Sequence, residues 1–184
     1  MRALGPGSLS SFLKVALDLA YWVLWVTLAL TVLLVFAVII VTPLIPLNNL
    51  DADFSINGDS DPETLRRFIR GPAIPLTMTA VAMYLGGLVV IVGRLRQIFM
   101  TLTRGDPFQP LNVSRLRVVG LALGGLEIWN SIVPQLVREV LLGGEDDSGR
   151  GFSLTGWFAV LVVFVLAEVF REGARLRREA ELTI

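Results

Sequence analysis

Four long stretches of the chain carry almost no charge, and they set the fold. Residues 19–50 hold no Asp, Glu, Lys or Arg, and neither do residues 71–93. Residues 118–137 hold only Glu127, and residues 151–170 hold only Glu168. About 20 apolar residues, rising 1.5 Å each, cross a hydrocarbon layer about 30 Å thick. All four stretches meet that length. Their apolar residues surround the helix instead of forming the single stripe of a soluble amphipathic helix. The pattern predicts an all-α integral membrane protein in one membrane domain, residues 1–184. Its four transmembrane helices are expected at about 19–42, 73–98, 115–142 and 152–174. The first apolar run is far longer than the roughly 7–15 residues of a signal-peptide core. No small-x-small cleavage site follows near Val41, so this run is expected to stay as a span.

Between the spans, turn chemistry marks the boundaries. Ser8, Ser10 or Ser11 is a candidate cap for the first helix. Trp22 and Trp25 suit a membrane interface. The first span should stop near Pro43, and Pro46 blocks its continuation. The loop 43–72 is the longest. Within it, Asp61-Pro62-Glu63 reads as a helix start, with Asp at the cap and Pro at the first helical position. A short helix at the membrane surface follows, with Leu65, Phe68 and Ile69 on one face and Arg66, Arg67 and Arg70 on the other. The second span should run on as helix past Arg94 and Arg96 until Gly105 ends it, and Asp106-Pro107 then turns the chain. Pro110 or Asn112 can start the third helix after the loop 99–114. The fourth helix should continue beyond Phe170 into the tail 175–184, supported by the i,i+4 pairs Arg175–Glu179 and Arg177–Glu181.

Charge then fixes an expected orientation. The chain has 16 basic and 16 acidic residues, a net charge of zero. The N-terminal stretch, the loop 99–114 with its flanks and the tail together hold 11 basic and 5 acidic groups. The other side holds 5 basic and 9 acidic groups. Basic short loops stay in the cytoplasm, so both termini are expected inside, with the chain multi-pass in a bacterial cytoplasmic membrane. The lipid bilayer is the first partner. The basic groups are read as membrane anchors, too thinly spread for direct nucleic-acid binding.

Composition narrows the chemistry. Hydrophobic residues make up 54% and charged residues 17%, against about a quarter for a soluble domain. There is no His and no Cys. That excludes disulfides, Cys/His metal sites and His- or Cys-based catalysis. The acidic stretch Asn57-Gly58-Asp59-Ser60-Asp61 lacks the ligand order of an EF-hand, so it is read as a solvated loop. No metal and no cofactor is expected. No catalytic constellation is present, so the chain is expected not to be an enzyme.

Glu127 is the sharpest remaining feature. It is tenth of the 20 residues from Val118 to Val137, near the midplane. A carboxylate at that depth is costly, so it should face protein. Gly120, Gly124, Glu127, Ser131, Pro134 and Arg138 fall on one helical stripe, and its small residues allow close helix approach. Pro134 leaves the carbonyl of Asn130 without its usual donor, and Asn130 adds a second polar group one turn away. Tyr84, Thr27 and Thr31 are the candidate partners of Glu127 at this depth. The polar set admits two readings: a proton-coupled or cation-binding site, or a structural hydrogen bond between helices. Glu168 lies nearer the membrane edge, and a structural pair with Arg171 is expected.

Two motifs resemble a known family. Phe99-Met100-Thr101-Leu102-Thr103-Arg104-Gly105-Asp106-Pro107-Phe108 leads to Asn112-Val113-Ser114-Arg115-Leu116-Arg117-Val118-Val119-Gly120. This is similar to the "GxPF…N…RLRxIG" stretch of a small bacterial membrane family, domain-of-unknown-function family 2975. The end resembles it too, from Ala167 through Arg175 to Glu179-Ala180-Glu181-Leu182-Thr183-Ile184. The family tail commonly reads Glu-Asn-(Asp/Glu)-Leu-Thr-Val, from which this chain departs at Ala180 and Ile184. The resemblance covers Phe99 to the C-terminal residue and implies four spans without an established activity. Family members are often encoded beside a small helix-turn-helix regulator, which implies that such a transcription regulator is held at the cytoplasmic face. Gly105, Asp106, Pro107 and Phe108 of the loop, with Asn112, Arg115 and Arg117 beyond it, form the expected loop motif. Arg175, Glu179, Glu181 and Leu182 mark the tail half of the contact surface. The first reading is thus a non-catalytic sensor or anchor. The alternative is a small transporter or proton-coupled exporter, a homo-oligomer using Glu127.

Overall fold

The computed structural model describes residues 9–44, 71, 73–103, 107–142 and 153–182. Four long helices make up nearly all of them: α1 (Leu9–Val41), α2 (Ala73–Thr103), α3 (Pro110–Leu142) and α4 (Leu154–Leu182). There is no strand among the described residues. All four helices are long and apolar enough to cross a membrane. The protein is a multi-pass helical membrane protein. The surface helix expected after Asp61, the acidic stretches near Asp59 and Asp146, and the turn residues Gly105 and Asp106 lie outside the described residues.

Local sequence explains the visible ends. A short 3₁₀ turn, Thr42–Leu44, closes α1 at Pro43, where the pyrrolidine ring removes the donor that another helical turn needs. Pro110 starts α3, where a missing N–H costs nothing. Ser153 caps α4 through a 3.2 Å bond in which the Gly156 N–H donates to its hydroxyl.

The helices pack in chain order, α1 on α2, α2 on α3 and α3 on α4. Facing residues give the register. Tyr21 of α1 lies on Gly93 of α2. Leu126 of α3 lies on Gly87 of α2, while Phe164 and Val160 of α4 meet Gly120 and Gly124 of α3. All these pairs run antiparallel. The end with the α2–α3 turn also carries the start of α1 and the finish of α4. It is called the basic end below, because Lys14, Arg94, Arg96, Arg115, Arg117 and Arg171 gather there.

Little is buried, as expected of a protein whose solvent is hydrocarbon. Val89, Ile91, Ile98, Val113, Leu116, Val119, Val160, Ala167 and Ala174 form the buried apolar set. Outward-facing Leu33 and Phe36 of α1 are 68% and 61% exposed. In water such exposure would forgo about 25 cal/mol per Å² of apolar area, whereas lipid tails take that area up at no such cost.

Helix α4 is displaced toward the basic end. Its third residue, Gly156, already faces Glu127, so α4 begins where α3 still has 15 residues to run, from 127 to 142. At the other end, Gly173 meets Phe108 in the α2–α3 turn. The remaining residues to Leu182 therefore run about 13 Å beyond the level of Phe108, at 1.5 Å per residue.

Candidate functional site

The basic end is tied by one buried polar residue. Asn112, in the first turn of α3, is fully buried. Its Nδ2 donates to Thr101 Oγ1 at 2.7 Å and to the Pro107 carbonyl at 2.9 Å. Its Oδ1 accepts from Arg115 Nη1 at 2.9 Å, and the same guanidinium nitrogen donates to the Gln97 carbonyl at 3.3 Å. The Thr101 hydroxyl donates onward to the Ile98 carbonyl at 2.7 Å. One carboxamide thus joins the end of α2, the turn and the start of α3, using both its donors and its acceptor. Nothing polar is left over, which is how a buried amide avoids a penalty of about 1–3 kcal/mol.

Apolar contacts complete this end. Ile98, Leu116 and Ala167 form the core cluster, with Phe170 against it. Phe108 tilts against Phe170, ring centroids 5.7 Å apart. The ring rests on Gly173, where a Cβ would come within 2.6 Å of it. Phe108 of the loop motif therefore packs between the α2–α3 turn and α4 while keeping 38% of its surface exposed. Arg117, by contrast, is exposed. A second tie joins α1: Asp18 forms an ion pair with Arg96, whose guanidinium lies 5.3 Å from the Tyr21 ring centroid.

Midway along α3 the stripe of Gly120, Gly124 and Glu127 faces α4. Gly120 lets the Phe164 ring approach, and Gly124 accepts Val160. The Glu127 carboxylate sits against Gly156, where any Cβ would overlap it. That contact puts the carboxylate on the first turn of α4, the positive end of the helix dipole. Ser131 donates from its hydroxyl to the Glu127 carbonyl at 2.9 Å.

The expected partners of Glu127 lie elsewhere. Thr27 and Thr31 donate to the carbonyls of Val23 and Thr27 on their own helix, both at 2.8 Å. Tyr84 lines a groove with Asn130, Val133 and Pro134. The reason is the displacement of α4: its first turn reaches Glu127, so the carboxylate faces α4 and not α2. Glu168 pairs with Arg171 on the surface of α4. In the tail, Arg175 pairs with Glu172 at 2.7 Å and with Glu179 at 3.4 Å. The Glu181 side chain, Thr183 and Ile184 lie outside the described residues.

The loop and tail motifs thus meet in space at the basic end, through Phe108, Phe170 and Gly173. A family model described as "Protein of unknown function (DUF2975)" matches residues 60–184. The chain belongs to this family. The DUF2975 match takes in all of α2, α3 and α4 and leaves α1 outside it. It thus begins well before Phe99, where the sequence motifs begin. No curated protein and no solved structure matches the chain.

Several contacts that build these sites carry no signal in the one-dimensional pattern. Gly156 and Gln97 read as ordinary helix residues, and Phe170 and Gly173 stand in the tail motif without a mark of what they face, because these roles depend on which residue of another helix stands opposite. The Asp18–Arg96 pair joins residues 78 apart, and nothing in the sequence couples them.

Proposed function

We propose that this DUF2975 protein is a non-catalytic membrane anchor whose basic end lies in the cytoplasm and holds a soluble protein partner on the projecting end of α4. The observation that carries this reading is the projection itself. Beyond Ala174 every described side chain of α4 is exposed, and Arg175, Arg178, Glu179 and Leu182 line an open groove there with Arg171 and Glu172. Leu176 and Leu182 are exposed at 55% and 83%. Apolar side chains spaced between charges of both signs suit a protein surface better than a polyanion or a lipid headgroup. The loop half of the expected surface is partly engaged within the chain: the Pro107 carbonyl accepts from Asn112, and Phe108 packs on Phe170 while keeping 38% of its surface exposed. The family resemblance gives the partner's class, a small helix-turn-helix regulator.

Ending the chain after Ala174 keeps that buried residue and removes the projection. Membranes carrying the full chain should sediment the regulator encoded beside it. Membranes with the shortened chain should retain about a tenth as much, the loss of roughly 1.4 kcal/mol. Equal sedimentation with both chains, or none with either, overturns the reading.

A second reading has its own observation. Glu127 is an ionisable side chain in the apolar run of a span, the kind of group that marks proton and ion pathways. On this reading Glu127 carries a proton or cation across. Glu127→Gln should then abolish proton flux in liposomes made with the purified chain. Flux equal to wild type, or no flux in wild type, removes this reading.

A further inference from the structure

We infer that the chain pairs with a second copy of itself through the groove between α2 and α3, with Asn130 of each copy hydrogen-bonded across the interface. Three polar groups meet at this groove. The Asn130 carboxamide is exposed, although Asn130 is thirteenth of the 20 residues from Val118 to Val137 and so lies inside the apolar run of α3. Among the described residues it makes no hydrogen bond. The Asn130 carbonyl also lacks its helical donor, because Pro134 stands four residues on and has no N–H. The Tyr84 hydroxyl, half-buried on the facing wall, has no partner among the described residues either.

Lipid tails cannot satisfy any of these groups, and each unsatisfied polar group in hydrocarbon is costly. The occupant of the groove must bring donors and acceptors to this depth. A second copy does so by symmetry. Two chains inserted in the same direction and related by a two-fold axis along the membrane normal carry Asn130 at the same depth. A carboxamide is self-complementary, since its N–H₂ can donate to the other's oxygen while its oxygen accepts in return. The Tyr84 hydroxyl and the freed carbonyl of Asn130 offer a further donor and acceptor on each side. The helix row leaves room for this contact, because the principal packing joins only neighbours in sequence. Asparagine bonds between membrane helices are a known cause of association.

The test uses the purified full-length chain in lipid bilayers, where no other protein is present. Single-molecule photobleaching should show dimers. Asn130→Leu, which removes the polar group and keeps the helix, should weaken pairing about ten-fold, and Tyr84→Phe should weaken it less. The chain has no cysteine, so an introduced one is the sole thiol. Oxidation of Val133→Cys should cross-link two chains, and that of Ile128→Cys, on the opposite face of α3, should not. A monomer in bilayers overturns the proposal. So does pairing that Asn130→Leu leaves unchanged, cross-linking that favours position 128, or association seen in cells but absent from purified bilayers.

Discussion

Replacing Asn112 with leucine should destabilise the protein by about 3 kcal/mol, one of the two largest effects expected of a single substitution here. The side chain is fully buried and makes three bonds to three separate segments. Leucine fills similar space but leaves the Pro107 carbonyl without a donor and strips Arg115 of its closer acceptor. Each buried group left unpaired costs about 1–3 kcal/mol. Asn112→Asp should not rescue. Its oxygen could still accept from Arg115, but it would face the Pro107 carbonyl with another acceptor where a donor is needed. Ser114→Ala, on the exposed side of the same helix turn, should change stability by less than about 0.5 kcal/mol. Thermal unfolding of the purified chain in detergent measures all three. Equal stability of Asn112→Leu and wild type would show that the buried network does not hold the basic end.

The same residue shows how far the sequence could be read. The four helices were legible because the apolar requirement of a bilayer is one-dimensional: a run of about 20 residues is enough to reveal a span. The third helix was expected to begin at Pro110 or Asn112, and it begins at Pro110. The burial of Asn112 was not legible, because polar residues at helix starts are usually exposed caps. Only the fold of the turn brings Thr101 and Pro107 around it. For the same reason the packing of Phe108 on Phe170 and Gly173 was not legible in the loop motif.

Glu127 divides in the same way. The stripe of Gly120, Gly124 and Glu127 was legible from spacing, because residues three and four apart share a helix face. The partner was not. Choosing among α1, α2 and α4 requires the relative axial shift of helices, and apolar runs do not encode it. The apolar run of the fourth span starts at Gly151, yet Gly156 is the residue that stands against Glu127. A glycine among apolar residues carries no mark of a carboxylate opposite.

Gly156→Val should cost about 1–3 kcal/mol, the usual range for overpacking a close contact. The overlap falls on the Glu127 carboxylate, the far end of a flexible side chain, so steric strain alone can relax. Relaxation moves the charge off the first turn of α4. The carboxylate then loses the positive end of the helix dipole and has no central Lys or Arg to turn to, since the stretches 71–93 and 118–137 contain none. The cost should therefore depend on the carboxylate and not on the added methyl groups. In a Glu127→Ala background, Gly156→Val should be nearly neutral or slightly stabilising, because valine then fills the space the carboxylate vacated. A double-mutant cycle read by thermal unfolding isolates this coupling, expected at about 1–2 kcal/mol. A control at Gly86, which has open space around it, should show no coupling to Glu127. If Gly156→Val costs the same with and without Glu127, the helices meet at this point through packing alone, and the carboxylate has no structural hold on α4. A strong coupling ties Glu127 to the α3–α4 contact, so that any loss of flux in Glu127→Gln has to be separated from loss of the fold before it counts as transport chemistry.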